Sequence, residues 1–243
     1  MKKTIFIITI LFNLQTFSEN SLFLEANQQY NKQNYKSAIL LYDSIIANGL
    51  ESSELYYNLG NCYYKKEEWA NAIWNYEKSL SLKKNTNTLE NLELTKLKIT
   101  DKIEPIPQLF YKKWWRNTIN LVSVNMWQIL TLLCIWIILI VQIITRFTTS
   151  KHKYSFHFLT ILFIILLSIS LSSYHENYQK PKAIIFSSSV NVNSAPTEDS
   201  KNLFSLHAGT KVRILDNIGD WINIKIEDGK NGWIKKSNCR ILE

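Results

Sequence analysis

The residues best equipped for chemistry are few in this chain, and their spacing argues against catalysis. Four histidines occur, His152, His157, His175 and His207, with three cysteines, Cys62, Cys134 and Cys239. A metal site gathers His, Cys and carboxylates at short regular spacings, and a nucleophile needs a base beside it. No Cys-x-x-Cys or Cys/His pattern is present, and no histidine has a carboxylate or cysteine at ligand spacing. The cysteines read as small packed residues. Only six glycines occur, and none forms a phosphate-binding loop. No enzyme activity, metal or cofactor is therefore expected. The formal net charge is +8, carried by dispersed Lys and Arg. This balance points to anionic lipid headgroups or topology signals, and nucleic acid is not an expected partner.

The elements that organise the chain are two uncharged runs, Met126–Ile144 and Phe156–Ser173. As helices rising about 1.5 Å per residue they span roughly 28 Å, close to the thickness of a bilayer's hydrocarbon core. Neither run has a polar stripe of the kind a buried core helix shows. Neither holds Asp, Glu, Lys or Arg, so a proton or ion pathway is not expected. Two passes with a short loop, 145–155, return the chain to its starting side. Whatever precedes the hairpin and whatever follows it must then face one compartment.

Residues 1–18, MKKTIFIITILFNLQTFS, read as a signal peptide, with an uncleaved anchor as the alternative: Lys2 and Lys3, a short apolar stretch, then Thr16 and Ser18 as small residues at a cleavage site. This puts residues 19 to about 120 across the membrane from the cytoplasm. Arg146, Lys151 and Lys153 in the loop agree, since basic loops prefer the cytoplasm. Lys112, Lys113 and Arg116 would lie outside. They sit in YKKWWR, which reads as an interfacial segment with Trp114 and Trp115 at headgroup depth and snorkelling basic side chains.

Residues 19–101 are self-similar at a period of 34. Ala26, Tyr30, Tyr35, Ala38 and Tyr42 recur as Gly60, Tyr64, Trp69, Ala72 and Tyr76, and Asn27 recurs as Asn61. Small residues at Ala26/Gly60 and Ala38/Ala72 let antiparallel helices approach closely, and Tyr42/Tyr76 fill the space beside the next unit. Two such units leave end faces uncovered, so 86–100 should act as a cap, with Leu89, Leu92, Leu94, Leu97 and Ile99 as apolar cover. The pattern resembles the tetratricopeptide repeat family, most fully along LYYNLGNCYYKKEEWANAIWNYEKSLSLKKN; Lys84 stands where the usual closing proline would be. The resemblance implies a concave groove for peptides or partner proteins. By register with the family it would be lined by Asn27, Tyr30, Asn31, Asn61, Tyr64 and Lys65. In some members an Asn at the Asn27/Asn61 position helps hold a terminal carboxylate; here Phe23 or Tyr57 replaces its basic companion.

Pro105 and Pro107 end the helical array and stiffen the linker within 102–122, whose second part, 108–122, reads as an amphipathic helix on the membrane surface. After residue 182 the character changes. AIIF, VNVN, KVRIL, WINIKI and GWIK are short β-rich runs between turn signals such as Ala208-Gly209, Gly219-Asp220 and Asp228-Gly229. Five short strands within 183–243 imply a small barrel, with IKIEDGKNGWI as a hairpin. VNVNSAP at 190–196, Gly209-Thr210, GDW at 219–221 and NGWI at 231–234 make this part similar to the bacterial SH3 family. The resemblance implies binding of peptides or cell-wall fragments, with Trp221 and Trp233 as an aromatic shelf. Asn193 and Ala195 stand where that family often has Arg and Gly.

The expected fold class is a multidomain membrane protein: α-helical tetratricopeptide hairpins, a two-helix transmembrane hairpin and a small all-β SH3-like barrel. This order of parts resembles the E-type proteins of the aerotolerance (Bat) operon. That resemblance implies work beside von Willebrand A-domain membrane proteins and a MoxR-type ATPase. The expected function is a non-enzymatic adaptor in the bacterial inner membrane, with both soluble parts periplasmic. Protein partners bind the repeats, and a protein or peptidoglycan binds the barrel. The alternative is a cell-wall sensor whose barrel binds peptidoglycan and signals through the hairpin.

Overall fold

The computed structural model describes residues 21–107, 109–147, 153–178 and 181–242. The expected signal peptide, 1–18, lies outside the described residues, as do 148–152 of the expected inner loop. The chain forms two compact units: residues up to Glu104 together with those from Lys182 onward, and Pro105–Pro181.

The first unit begins with helices α1 (21–31), α2 (Tyr35–Ala47), α3 (Ser53–Lys65), α4 (Trp69–Leu82) and α5 (Thr86–Lys96). The 34-residue period of the sequence is also a period of geometry. Gln33 and Glu67 both take a left-handed backbone, with φ of 61° and 60°. Each closes its helix in the same way, with Asn34 N–H donating to Gln29 O at 2.9 Å and Glu68 N–H to Tyr63 O at 3.0 Å. The ring pairs repeat as well: Tyr30 on Tyr35 at 5.5 Å and Tyr64 on Trp69 at 5.4 Å. Ala26, Ala38 and Ala72 are fully buried, as is Tyr42, with Tyr76 at 1 % exposure. A Cβ on Gly60 would stand 2.5 Å from the Tyr76 ring, so glycine is what lets α3 and α4 meet.

Helix α3 starts where the Ser52 hydroxyl accepts the Leu55 N–H at 3.1 Å, and α5 where Asn85 accepts from Asn87 at 2.9 Å. The face that α5 buries differs from the expected one. Thr88, Leu92 and Thr95, at helical spacing, turn inward, while Leu89, Leu94 and Leu97 are exposed. The small threonines allow close approach; of the expected apolar cover, Leu92 is buried and Ile99 packs on the core, while Leu89, Leu94 and Leu97 fall outside this face. Lys102 caps this helix by donating to the Lys96 and Leu97 carbonyls at 3.1 and 2.7 Å.

The first unit also contains seven antiparallel strands: β1 (Lys182–Ile185), β2 (Ser189–Asn193), β3 (Asn202–His207), β4 (Lys211–Ile218), β5 (Trp221–Lys225), β6 (Asn231–Lys235) and β7 (Cys239–Leu242). Their order is β3-β2-β6-β5-β4-β1-β7. Five of them match the expected runs; β3 and β7 are additional. Residues from both edge strands join one cluster around Val192, Ile222, Ile224 and Ile234, so the sheet curls round a single core. The Asp228-Gly229 turn closes β5 to β6, with Gly229 at φ 92°. Gly219, at φ 55°, makes the tight β4–β5 turn in which Ile218 pairs with Trp221.

Helices and sheet share a core. Strand β1 turns Ala183 and Ile185 into the sheet's own cluster, while Ile184 joins the helical one, where Phe186 and Leu242 also pack. On α4, Trp74 Nε1–H donates to Ile241 O at 3.1 Å, and the Arg240 guanidinium stacks over the indole at 3.7 Å. Glu77 pairs with Lys211. Asp101 accepts three hydrogen bonds from the β3–β4 turn: His207 N–H at 2.7 Å, Thr210 hydroxyl at 2.6 Å and His207 Nδ1 at 2.7 Å.

The second unit contains α6 (Phe110–Ile119), α7 (Val124–Phe147) and α8 (Lys153–Tyr178). The α6 helix is shorter than the expected 108–122, because the chain turns at Asn120 and restarts where Ser123 caps α7. Helices α7 and α8 run beyond the apolar stretches 126–144 and 156–173, since backbone hydrogen bonding continues into the polar flanks. Both are long and apolar enough to cross a membrane, with mean hydropathies of 2.5 and 2.1, and both turn most of their apolar side chains outward. They pack side by side, and Ile119, Trp127 and Ile169 form a cluster at one end.

Candidate functional site

Two neighbouring cavities open on the helical array. The first, about 270 Å³, is lined by Tyr30, Tyr57, Asn61, Tyr64, Lys65, Tyr76, Asn91 and Leu94. The second, about 340 Å³, is lined by Asn27, Tyr30, Asn31, Tyr42 and Asn58. Helical phase explains the first set, since Tyr57, Asn61, Tyr64 and Lys65 fall on one face of α3. All six residues expected to line a groove are here, with Tyr30 shared by both cavities.

The two asparagines of the repeat have a structural duty. Asn61 Oδ1 accepts from the Tyr76 hydroxyl at 2.8 Å and from the Asn91 amide at 2.9 Å. Asn27 Oδ1 likewise accepts from the Tyr42 hydroxyl and from the Asn58 amide, the latter at 3.0 Å. Each oxygen ties together three helices, which fixes the orientation of the carboxamide. Burial pushes the Tyr42 and Tyr76 hydroxyls well above the ordinary phenol value, and the Cys62 thiol up to about 12, so all three stay protonated. The cavity walls thus offer aromatic faces, amides and hydroxyls. Lys65, exposed at the rim, is the cation among the lining residues and forms no ion pair with a described residue. This surface can bind an extended chain by stacking and hydrogen bonding, and its lining brings together no base and nucleophile. Among the described residues no group of His, Cys, Asp and Glu could hold a metal.

Asn58, Asn91, Tyr57 and Leu94 also line the cavities and were not among the expected groove residues. The helical phase of α3 gives Tyr57 away; α5 lacks the repeat signature, so nothing in its sequence marks Asn91 or Leu94.

The sheet carries a second candidate surface. Ile222, Ile224 and Ile234 point inward, so Trp221, Asn223 and Trp233 stand on the outer face. Register sets Trp233 opposite Asn223 and Lys235 opposite Trp221. Asn193, on β2, is on the other side of Trp233. Both tryptophans are half-buried, and Lys235 lies over the Trp221 ring at 5.8 Å. Asn223 Oδ1 is buried with no hydrogen-bond partner, an acceptor left beside the two indoles.

Residues 188–238 match the family described as a bacterial SH3 domain. The match takes in both tryptophans and runs from the start of β2 to the turn before β7, leaving β1 and β7 outside it. The C-terminal antiparallel sheet is consistent with an SH3-like domain, and the match suggests a protein- or cell-wall-binding role. No curated protein matches the chain significantly.

Proposed function

We propose that this chain is a non-enzymatic adaptor anchored in the bacterial inner membrane, with its helical array and its SH3-class sheet both in the periplasm. The array serves as a pair of tetratricopeptide repeats that takes an extended segment of a partner protein. The observation that carries this reading is the pair of cavities on α1, α3 and α5, left open while α4 carries the contacts with the sheet. The outer face at the half-buried Trp221 and Trp233 takes a second partner or a peptidoglycan fragment by stacking on the indoles. Similarity to the E-type aerotolerance proteins makes von Willebrand A-domain membrane proteins the partners to seek first, in a stress-related complex.

Support for the layout comes from chain parity. The chain leaves the first unit after Glu104 and re-enters it at Lys182, and α7 and α8 are the described helices able to cross a bilayer in between. A polypeptide that leaves and rejoins one folded body crosses an even number of times. The basic loop and the signal-like start favour the periplasm for that body.

Lys65 is the site to test, because Asn27 and Asn61 also hold the fold together. Lys65→Glu should lower the yield of partner crosslinked in intact cells several-fold while leaving the circular dichroism unchanged. Undiminished crosslinking would remove the groove assignment.

A further inference from the structure

Helix α6 divides its side chains by type. At 3.6 residues per turn, Phe110, Tyr111, Trp114 and Trp115 occupy one arc, and Lys112, Lys113 and Arg116 the opposite one. Phe110 is 85 % exposed and Trp114 66 %, which leaves a large aromatic surface open. Glu176 is the only carboxylate between residues 105 and 181, so the basic arc has almost nothing to neutralise it within its own unit. None of Lys112, Lys113 and Arg116 pairs with a described carboxylate.

The helix is also held in place. Ile119, at its last turn, is 4 % exposed and packs on Trp127 and Ile169. Its carbonyl accepts two hydrogen bonds, from Trp127 Nε1–H at 3.1 Å and from the Ser173 hydroxyl at 3.2 Å. Trp127 lies near the start of α7 and Ser173 near the end of α8, so α6 is fastened to one end of the helical hairpin. At that end of a membrane-spanning hairpin the neighbouring medium is the headgroup layer. There aromatic rings settle at the acyl boundary and Lys and Arg reach phosphate.

We propose that α6 is a binding site for anionic phospholipid, with Lys112, Lys113 and Arg116 holding headgroup phosphates and Phe110, Tyr111 and Trp114 seated among the upper acyl chains. This rests on the reading of α7 and α8 as membrane spans. Charge complementarity selects the occupant: a protein surface would need an acidic, apolar counterpart, whereas an anionic bilayer offers both at the depth where α6 is pinned. Arg116 gives forked contacts to phosphate, and the lysines act as point charges beside it.

The test uses the full chain in vesicles holding photoactivatable phosphatidylglycerol or photoactivatable phosphatidylcholine at equal mole fraction, with adducts mapped by mass spectrometry. Adducts on residues 110–116 should form at least roughly fivefold more from the anionic lipid, the preference that about 1 kcal/mol, the contribution of a single basic residue near a charged surface, would produce. The preference should fall as salt rises and vanish in K112Q/K113Q/R116Q, whose α7 and α8 are still labelled. Equal labelling of α6 by both lipids, or a preference that survives the triple substitution, overturns the proposal. Adducts on α7 and α8 report the membrane reading separately. If these helices stay unlabelled by either lipid, that reading fails and the proposal falls with it; if they are labelled and α6 is not, the lipid site alone is lost.

Discussion

Asp101 shows how much one side chain decides here. It follows the last helix of the array, yet its carboxylate serves the β3–β4 turn of the sheet, accepting from His207 and from the buried Thr210. Burial alone would raise its pKa, but the hydrogen bonds from Thr210 and His207 outweigh that and hold it below the ordinary carboxylate value. A folded-state pKa below the unfolded one adds stability that is present above the unfolded value, near 4, and is lost as the pH falls through the folded one. Unfolding of the protein followed from neutral pH to about pH 2 should therefore show an acid-side loss of stability that Asp101→Asn weakens. At neutral pH, Asp101→Ala should cost roughly 2–3 kcal/mol, since it strands a buried hydroxyl and a backbone N–H. Amide exchange should then rise both in α5 and in β3–β4. Faster exchange in only one of them would mean that the carboxylate does not join the two.

At the scale of elements, the β3–β4 turn carries the meeting of array and sheet. Gly209 has φ 93°, and a Cβ there would stand 2.5 Å from Ile99 and 3.3 Å from Ile73. Gly209→Ala should destabilise by about 1–3 kcal/mol through backbone strain and this clash together. Gly219→Ala is its control, for that glycine is also left-handed but nothing stands within 4 Å of its Cβ position; thermal unfolding of the pair separates strain from contact. The sequence pattern marks the turns, five of the strands, the helix pairs and the two apolar helices, because each leaves a local signature of period, glycine or composition. Strands β3 and β7 escape it: Asn202–His207 and Cys239–Leu242 sit at sheet edges, where alternation is broken by exposed Leu203 and Ile241. The docking of array on sheet escapes it too, since long-range packing has no period. One trace of it exists in Ala183–Phe186, four apolar residues in a row. A strand at a solvated surface would alternate; this one is covered on both faces. The residues that line the two cavities follow the register of the repeat on α1 and α3, whereas nothing in the sequence marks those on α5, where the repeat stops.

At the scale of the whole chain, array and sheet behave as one body with a hydrophobic hairpin inserted in the middle. Their shared core makes opposite-side placement costly, because it would expose Ile73, Trp74, Ile184 and Phe186 together. On the proposed layout, a topology reporter inserted after residue 150 should read cytoplasmic, and one after residue 243 periplasmic. Two reporters reading the same compartment would break the even-crossing argument. The inserted position of the hairpin also has a consequence in time. The face of α4 that receives β1 is made long before β1 is, with Pro105–Pro181 synthesised in between. From the end of α4 at Leu82 to Lys182, synthesis at 5–20 residues per second takes roughly 5–20 s. Through it the nascent helices must wait with an uncovered hydrophobic flank, so a chain halted before Lys182 should be the species most avidly held by chaperones and most prone to aggregate during biogenesis.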